Sequence, residues 1–267
     1  MKRPFISLTS DFGVQSQGVG IMESVAREIA PEAQVVHLMH GLPDFDIRAA
    51  ARTIETVLYL QIGCHVCVVD PGVGTSRRGI IIKTKRGDYL IGPDNGVLLP
   101  AAQMLGGAAT VVNIENPRYM PQPVSPVFHG RDVFTPAAAH LANGVAIEEF
   151  GPEIAFDSLV AAPYREAVVG DRRIDAEVIH VNKYGSLHLN ITHEQWDQLG
   201  LPLGQRVTLR FGDKEVLAPF IQTFGEVQQN QPLILKDDYG RVEVALNMGN
   251  FSKQQNIATG DRCTIIF

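Results

Sequence analysis

Val68-Val69-Asp70-Pro71-Gly72-Val73-Gly74-Thr75-Ser76-Arg77-Arg78-Gly79 ends an apolar run on a carboxylate, turns on Pro-Gly-x-Gly and returns two guanidinium groups toward the acid. Glycine admits positive φ and close backbone approach, and proline fixes its own φ, so the turn is sharp. Two readings stand at this point: a salt-bridged tight turn, or a polar site at the carboxyl end of a strand, where open α/β sheets bind ligands. The flanking segments set the fold. Phe5-Ile6-Ser7-Leu8 reads as a strand, and Ile21, Met22, Val25 and Ile29 recur at helical spacing. A strand over 34–38 follows. Ile47, Ala50, Ala51, Ile54, Val57 and Leu58 then share one helix face behind a capping Asp46. A hairpin over 80–84 and 89–91, a short helix through Leu105, a strand over 110–114 and a helix over 131–143 stopped by Gly144 complete the series. Strands alternating with helices predict an α/β domain over 1–166 with a largely parallel central sheet, covered on both faces.

After Pro163 the long helical periodicity gives way to short β-rich runs over 176–181, 186–191, 206–211, 215–219, 233–235, 242–246 and 262–267. Short strands broken by Gly, Asp and Asn predict an all-β, barrel-like domain over 167–267. The boundary is expected between Ala161 and Asp171.

The totals narrow the function classes. A net charge of −6 over 267 residues argues against a general nucleic-acid binder, which would show a basic excess or stripe. No apolar run approaches bilayer-spanning length, and Met1-Lys2-Arg3-Pro4-Phe5-Ile6 meets Ser10 and Asp11 too soon for a signal-peptide core, so a cytoplasmic protein without a membrane partner is expected. Three cysteines give no disulfide framework. Cys64-His65-Val66-Cys67 has C-x-x-C spacing, but it falls on a predicted strand, where residues three apart point to opposite faces. No second pair stands at zinc-finger spacing. The expectation is small buried strand residues, with no metal.

Several polar clusters fall at predicted strand ends: Asp11, Asp70 with Arg77, Asp94-Asn95, and Phe128-His129-Gly130-Arg131-Asp132. Loops on one rim of a parallel sheet converge, and an acid, a guanidinium and an imidazole in one pocket could orient and polarise a water. His40, His140 and His193 read as surface or satisfied structural residues. Gly72-Val73-Gly74-Thr75 is neither G-x-G-x-x-G nor a P-loop, so it makes a weak phosphate cradle.

Thr9-Ser10-Asp11-Phe12-Gly13, Val69-Asp70-Pro71-Gly72-Val73-Gly74-Thr75, Gly92-Pro93-Asp94-Asn95-Gly96 and Phe128-His129-Gly130-Arg131-Asp132 resemble, in order and separation, the signatures of the S-adenosylmethionine hydrolases, also called hydroxide adenosyltransferases and related to fluorinase and chlorinase. The C-terminal resemblance is looser and rests on Lys183-Tyr184-Gly185, Val242-Glu243-Val244-Ala245 and Gly260-Asp261. The resemblance implies an α/β domain, a β-barrel, and a homotrimer whose sites lie between one subunit's N-terminal domain and its neighbour's barrel. It further implies a hydrolytic set Asp70, Arg77 and His129, ribose binding by Asp11, adenosyl walls from Phe45 and Phe128, and a matching loop position for Asn95. No metal or organic cofactor is implied.

The sequence departs from the family pattern where the amino-acid end of the substrate would be gripped. Ser16 and Gly18 stand in the first loop where an acid and a Tyr or Ser are usual. Asn182-Lys183-Tyr184-Gly185-Ser186 replaces Asp-x-Phe-Gly-Asn, and Asp238-Tyr239 precedes Gly240-Arg241 where Ser-Ser or Ser-Arg is usual. Asn182, Tyr184, Ser186, Asp238 and Tyr239 are therefore the expected contacts to that end. The expected activity is hydrolysis of S-adenosyl-L-methionine to adenosine and L-methionine by in-line attack of water on the ribose 5′ carbon. The same chemistry on another 5′-activated adenosine, and a non-catalytic adenosine-binding protein, are the alternatives.

Overall fold

The strand β1, Phe5–Ser10, is buried at all six positions and forms the axis of the N-terminal unit. A computed structural model describes residues 3–267. After β1 come α1 (Gln17–Ile29), β2 (Gln34–Met39), α2 (Ile47–Ile54), β3 (Cys64–Val68), β4 (Gly79–Thr84), β5 (Tyr89–Pro93), α3 (Leu99–Met104), β6 (Ala108–Asn113) and α4 (Thr135–Ala142). The six strands lie in the order β2-β1-β3-β5-β4-β6. The pairs β2/β1, β1/β3 and β3/β5 are parallel, while β4 runs antiparallel to both β5 and β6. The largely parallel sheet is therefore mixed at one end, as the expected hairpin requires: a link as short as Lys85-Arg86-Gly87 cannot cross over.

Ile6, Leu8, Val66 and Val68 pack with α1 and α4 in one core, and the residues of alternate register, Ser7, His65, Cys67 and Leu90, are buried as well. Both faces are covered. Two helices differ from their sequence reading. The segment after Asp46, whose side chain caps α2 through the Ala49 amide at 2.9 Å, tightens into a 3-10 turn over Glu55–Tyr59. The segment expected as one helix over 131–143 starts instead as a π-helical turn, Gly130–Phe134, before α4. Hydrophobic spacing alone does not distinguish these windings.

The chain parts into two units between Pro163 and Tyr164. The second unit holds β7 (Val168–Gly170), β8 (Arg173–Val181), β9 (Leu187–Thr192), α5 (His193–Gln198), β10 (Arg206–Phe211), β11 (Lys214–Pro219), β12 (Pro232–Lys236), β13 (Arg241–Leu246), α6 (Phe251–Gln255) and β14 (Arg262–Ile266). Its antiparallel sheet follows the order β11-β10-β14-β8-β9-β13-β12, with β7 beside β8. A bridge between Phe220 and Ile234 brings the two ends together, so the sheet is a nearly closed barrel around Trp196, Phe211, Phe220 and Phe251. The two short helices and β7 were not expected. α5 buries one side chain, Trp196, so it has no apolar repeat to read; its capping box, Thr192 with Gln195, is its sequence signal. Arg241 is fully buried and forked onto Glu166, with Nη1 2.6 Å from Oε2 and 3.0 Å from the Asn190 carbonyl.

Among the described residues, no helix is long and apolar enough to cross a membrane. Cys64, Cys67 and Cys263 are buried and free, and burial pushes the Cys64 and Cys67 thiols up to about 12. No group of three or more potential metal ligands occurs among the described residues.

Candidate active site

Strand order 2-1-3 means the chain leaves β1 to one side and returns on the other, and such a switch point opens a crevice at the carboxyl ends of β1 and β3. A cavity of about 240 Å³ lies there, lined by Asp11 and Phe12 after β1, Asp44 and Phe45 after β2, Val68, Asp70 and Val73 at the end of β3, and Val127 to Gly130 leading into the π-helical turn.

Asp70, Arg77 and His129 meet at this cavity. The guanidinium of Arg77 grips both carboxylate oxygens of Asp70: Nε lies 3.0 Å from Oδ1, and Nη2 makes the shorter contact to Oδ2. The same Nη2 lies 2.9 Å from His129 Nδ1, and the guanidinium stacks 5.2 Å from the centre of the Phe134 ring. Side-chain exposures of 8% for Arg77 and 5% for Asp70 keep the pair out of bulk water, where an ion pair is worth little. Arg77 sits behind the wall; Asp70 and His129 face the cavity.

The loop that returns Arg77 depends on Gly74, at φ 75°, where an added Cβ would stand 2.3 Å from the Pro126 carbonyl oxygen. Gly74→Ala should therefore cost about 1–3 kcal/mol of stability, readable as a lowered thermal midpoint, because both the left-handed backbone and the close approach are lost. Behind His129, Gly130 lets the chain pass against Met22 and Val68, with a would-be Cβ 2.9 Å from the Met22 sulfur. The π-helical turn that starts there is a winding common at functional sites.

Arg77 is a donor, so His129 Nδ1 must accept and the ring proton sits on Nε2. Burial, and then the neighbouring Arg77, hold the His129 pKa below the ordinary histidine range, against the opposing pull of Asp70 and Asp132. The imidazole is neutral near pH 7.

On the opposite wall, Asp11 Oδ2 accepts the Phe45 amide at 2.9 Å, leaving Oδ1 without a partner among the described residues. Phe45 itself sits at φ 61° and is 68% exposed, a left-handed conformation for a bulky residue at the mouth of the cavity. Phe12 and Phe128 meet edge to face at 5.7 Å. Gly18, one of the departures from the family pattern, lies beneath them, 3.3 Å from each ring at its would-be Cβ. Ser16, the other, caps α1 through the Gly18 amide. Asn95 does not line the cavity: its side chain spans from the Val69 carbonyl, 2.9 Å, to the Val97 amide, 3.2 Å, and ties the Gly92–Gly96 turn to the end of β3.

In the barrel unit, the Asn182 side-chain oxygen Oδ1 accepts the Tyr184 and Ser186 amides at 3.0 and 3.1 Å, while Tyr184 is exposed. The turn carrying Asp238 and Tyr239 is held by Asp237, whose carboxylate accepts the Tyr239 and Arg241 amides, both at 2.8 Å. His188 joins the two loops, with Nε2 3.3 Å from the Asn182 amide and Nδ1 2.7 Å from Asp237. His188 and Asp237 were not singled out from sequence, nor were Asp44, Val73 and Val127 in the cavity wall; their roles depend on partners distant in the chain. A second imidazole–carboxylate pair, Ser7–His65–Asp88, is sealed in the sheet at zero exposure and has no access for a substrate.

Comparison with known proteins covers both units. The family model described as the SAM hydroxide adenosyltransferase N-terminal domain matches residues 6–151, and its C-terminal counterpart matches 176–264. The (R)-S-adenosyl-L-methionine hydrolase of Salinispora arenicola is 36% identical over 263 residues, covering 98% of this chain and 97% of that protein. The protein of the same name from Thermus thermophilus is 36% identical over 260 residues, covering 94% and 95%. A solved structure of an uncharacterized conserved protein from Thermotoga maritima superposes with a TM-score of 0.90 at 32% identity, covering 98% of this chain and all of that one.

Proposed function

The chain belongs to the SAM hydroxide adenosyltransferase family, and from that premise we propose that it hydrolyses S-adenosyl-L-methionine to adenosine and L-methionine at the cavity beside β1 and β3. The observation that carries this reading is the Asp70–Arg77–His129 constellation facing a nucleoside-sized cavity. The lining agrees with it: three carboxylates, Asp11, Asp44 and Asp70, and no lysine or arginine, which suits a cationic sulfonium.

In this mechanism a water is held between Asp70 and the Nε2–H of His129 and attacks the ribose 5′ carbon. The C5′–O bond forms as the C5′–S bond breaks, and the electron pair stays on sulfur. Methionine leaves as a neutral thioether, so no acid is needed. The water surrenders one proton, first toward Asp70, the anionic member of the three. Arg77 fixes both partners. Because the reaction neutralises charge, catalysis rests on positioning the nucleophile and on excluding bulk water. Asp11 Oδ1 would accept from the ribose hydroxyls, and Phe45 and Phe128 would flank the adenosyl group. Asn182, Tyr184, Ser186, Asp238 and Tyr239, presented by a neighbouring copy in a cytoplasmic homotrimer, complete the proposal, with Asn95 as a positioning residue. Sedimentation giving a monomer at working concentration would remove the trimer from it.

Incubation with S-adenosyl-L-methionine and chromatography tests the reaction: equimolar adenosine and methionine are expected, and an untouched substrate sinks the assignment. The acid limb of the pH profile is a second expected result. Protonating His129 places an N–H at Nδ1 against the Arg77 donor, so activity is full while the ring is neutral and falls as pH drops through its pKa. The midpoint should lie below the ordinary histidine value of about 6.5. A midpoint above that value contradicts the neutral-imidazole mechanism. The departures at Ser16, Asn182 and Asp238 favour a second reading, another 5′-activated adenosine as substrate, which adenosine release from such a compound but not from S-adenosyl-L-methionine would establish.

A further inference from the structure

A chain of side chains runs from the surface of α1 to the backbone of the cavity wall. Glu23 Oε1 pairs with Arg27 at 2.7 Å, and its Oε2 lies 2.9 Å from His37 Nε2. His37 Nδ1 lies 2.8 Å from His40 Nε2, and His40 Nδ1 lies 2.7 Å from Ser10 Oγ. Ser10 Oγ in turn accepts the Phe12 amide at 3.3 Å. Glu23 and His37 are about one-third exposed, whereas His40 and Ser10 are buried.

The acceptor at the surface end, taken with a neutral His37, sets the direction of every bond. A carboxylate can only accept, so His37 carries its proton on Nε2; a neutral His37 is then bare at Nδ1, and His40 must donate from Nε2. His40 in turn is bare at Nδ1 and takes the Ser10 hydroxyl proton, which leaves the Ser10 oxygen lone pairs for the Phe12 amide. His37 and Arg27 hold Glu23 below the usual carboxylate range, and burial followed by the facing His37 brings His40 down to about 4, which agrees with an anion at one end and a neutral ring at the other. The His40 carbonyl also accepts the Gly13 amide at 2.7 Å, so ring and backbone of one residue clamp both sides of the Ser10–Gly13 turn. That turn carries Asp11 and Phe12, and through the Phe45 amide on Asp11 it governs the far wall too.

We propose that His40, oriented from the surface by His37 and Glu23, is a positioning residue for substrate binding, holding the Asp11–Phe12 wall in its binding shape. It touches neither substrate nor reacting atoms. Its loss should therefore move binding, not the chemical step at Asp70. The inference rests on the reading of the cavity as the adenosyl site.

The test has two arms. Long-range proton–nitrogen NMR of the parent protein at neutral pH is expected to show both His37 and His40 protonated on Nε2; a His40 proton on Nδ1 overturns the relay whatever the protein binds. In the second arm, His40→Leu should raise KM for S-adenosyl-L-methionine and Kd for adenosine about tenfold, the order of one lost positioning hydrogen bond, with kcat changed less than about threefold. His40→Asn, which restores an acceptor near Nδ1, should recover part of that loss. An unchanged KM, a loss confined to kcat, or an Asn variant no better than Leu each overturn the proposal. Should His40→Leu fail to fold, Glu23→Ala at the surface serves instead. It should raise KM about threefold, part of one hydrogen bond's worth, and release the single tautomer of His37; no change in either overturns the proposal. If the parent bound no adenosine, the functional reading would fall separately, and the ring tautomers would still decide the relay.

Discussion

Asp70→Ala should lower kcat for S-adenosyl-L-methionine hydrolysis by about a thousandfold or more, within the span of a lost general base, while adenosine binds nearly as tightly as to the parent. The two halves of this expectation follow from separate features. In the proposed mechanism Asp70 orients the nucleophile and is the group toward which the proton departs, so its removal should leave the water unaligned and Arg77 without its bidentate partner. The contacts proposed for the nucleoside, at Asp11, Phe45 and Phe128, lie on other segments of the cavity wall and should lose nothing. Single-turnover assay with adenosine titration by calorimetry checks both. A variant that turns over at the parent rate eliminates the mechanism, and one that loses adenosine binding as well points to a collapsed wall.

Glu166→Ala carries the largest expected stability change, about 3 kcal/mol, toward the lower end for a broken buried ion pair. Arg241 is wholly buried and Glu166 is about one-third exposed, so the two deletions are not equivalent. Removing the acid takes away the carboxylate that grips Nη1 and Nη2 of a buried guanidinium, while the bond to the Asn190 carbonyl stays. The double variant Glu166→Ala with Arg241→Met should regain part of the loss, since the buried guanidinium is removed together with the carboxylate that gripped it. The chain has one tryptophan, Trp196, 1% exposed in the barrel core, so urea titration followed by its fluorescence reads this unit alone. A double variant less stable than Glu166→Ala would mean that packing by the arginine stem, not its charge, dominates.

The α/β unit was legible because its signals are local. The apolar run 66–69 marks the strand that ends at Asp70, Asp46 announces its helix, and the Asp70 turn is written in glycine and proline. Sequence gave the identities of Asp70, Arg77 and His129 through motifs, but their meeting depends on the order in which β1, β3 and β5 lie side by side, which no local pattern encodes. Asn95, a motif position by resemblance, also carries structure: its side chain ties the turn before α3 to the end of β3. The π-helical turn at Gly130 and the short helices α5 and α6 escaped notice because winding and brief helices leave no periodicity. His40, read as a surface or satisfied structural residue, is buried and satisfied by Ser10 and His37, and no local pattern in the chain pairs it with Ser10.

The sealed cysteines give the molecule a built-in clock for its own opening. Cys64 and Cys67 lie in β3 of the first unit and Cys263 in β14 of the second, each shielded and held as the unreactive thiol. An alkylating reagent therefore has nothing to label until a strand comes loose, and peptide mapping of the label tells which half of the chain breathed first.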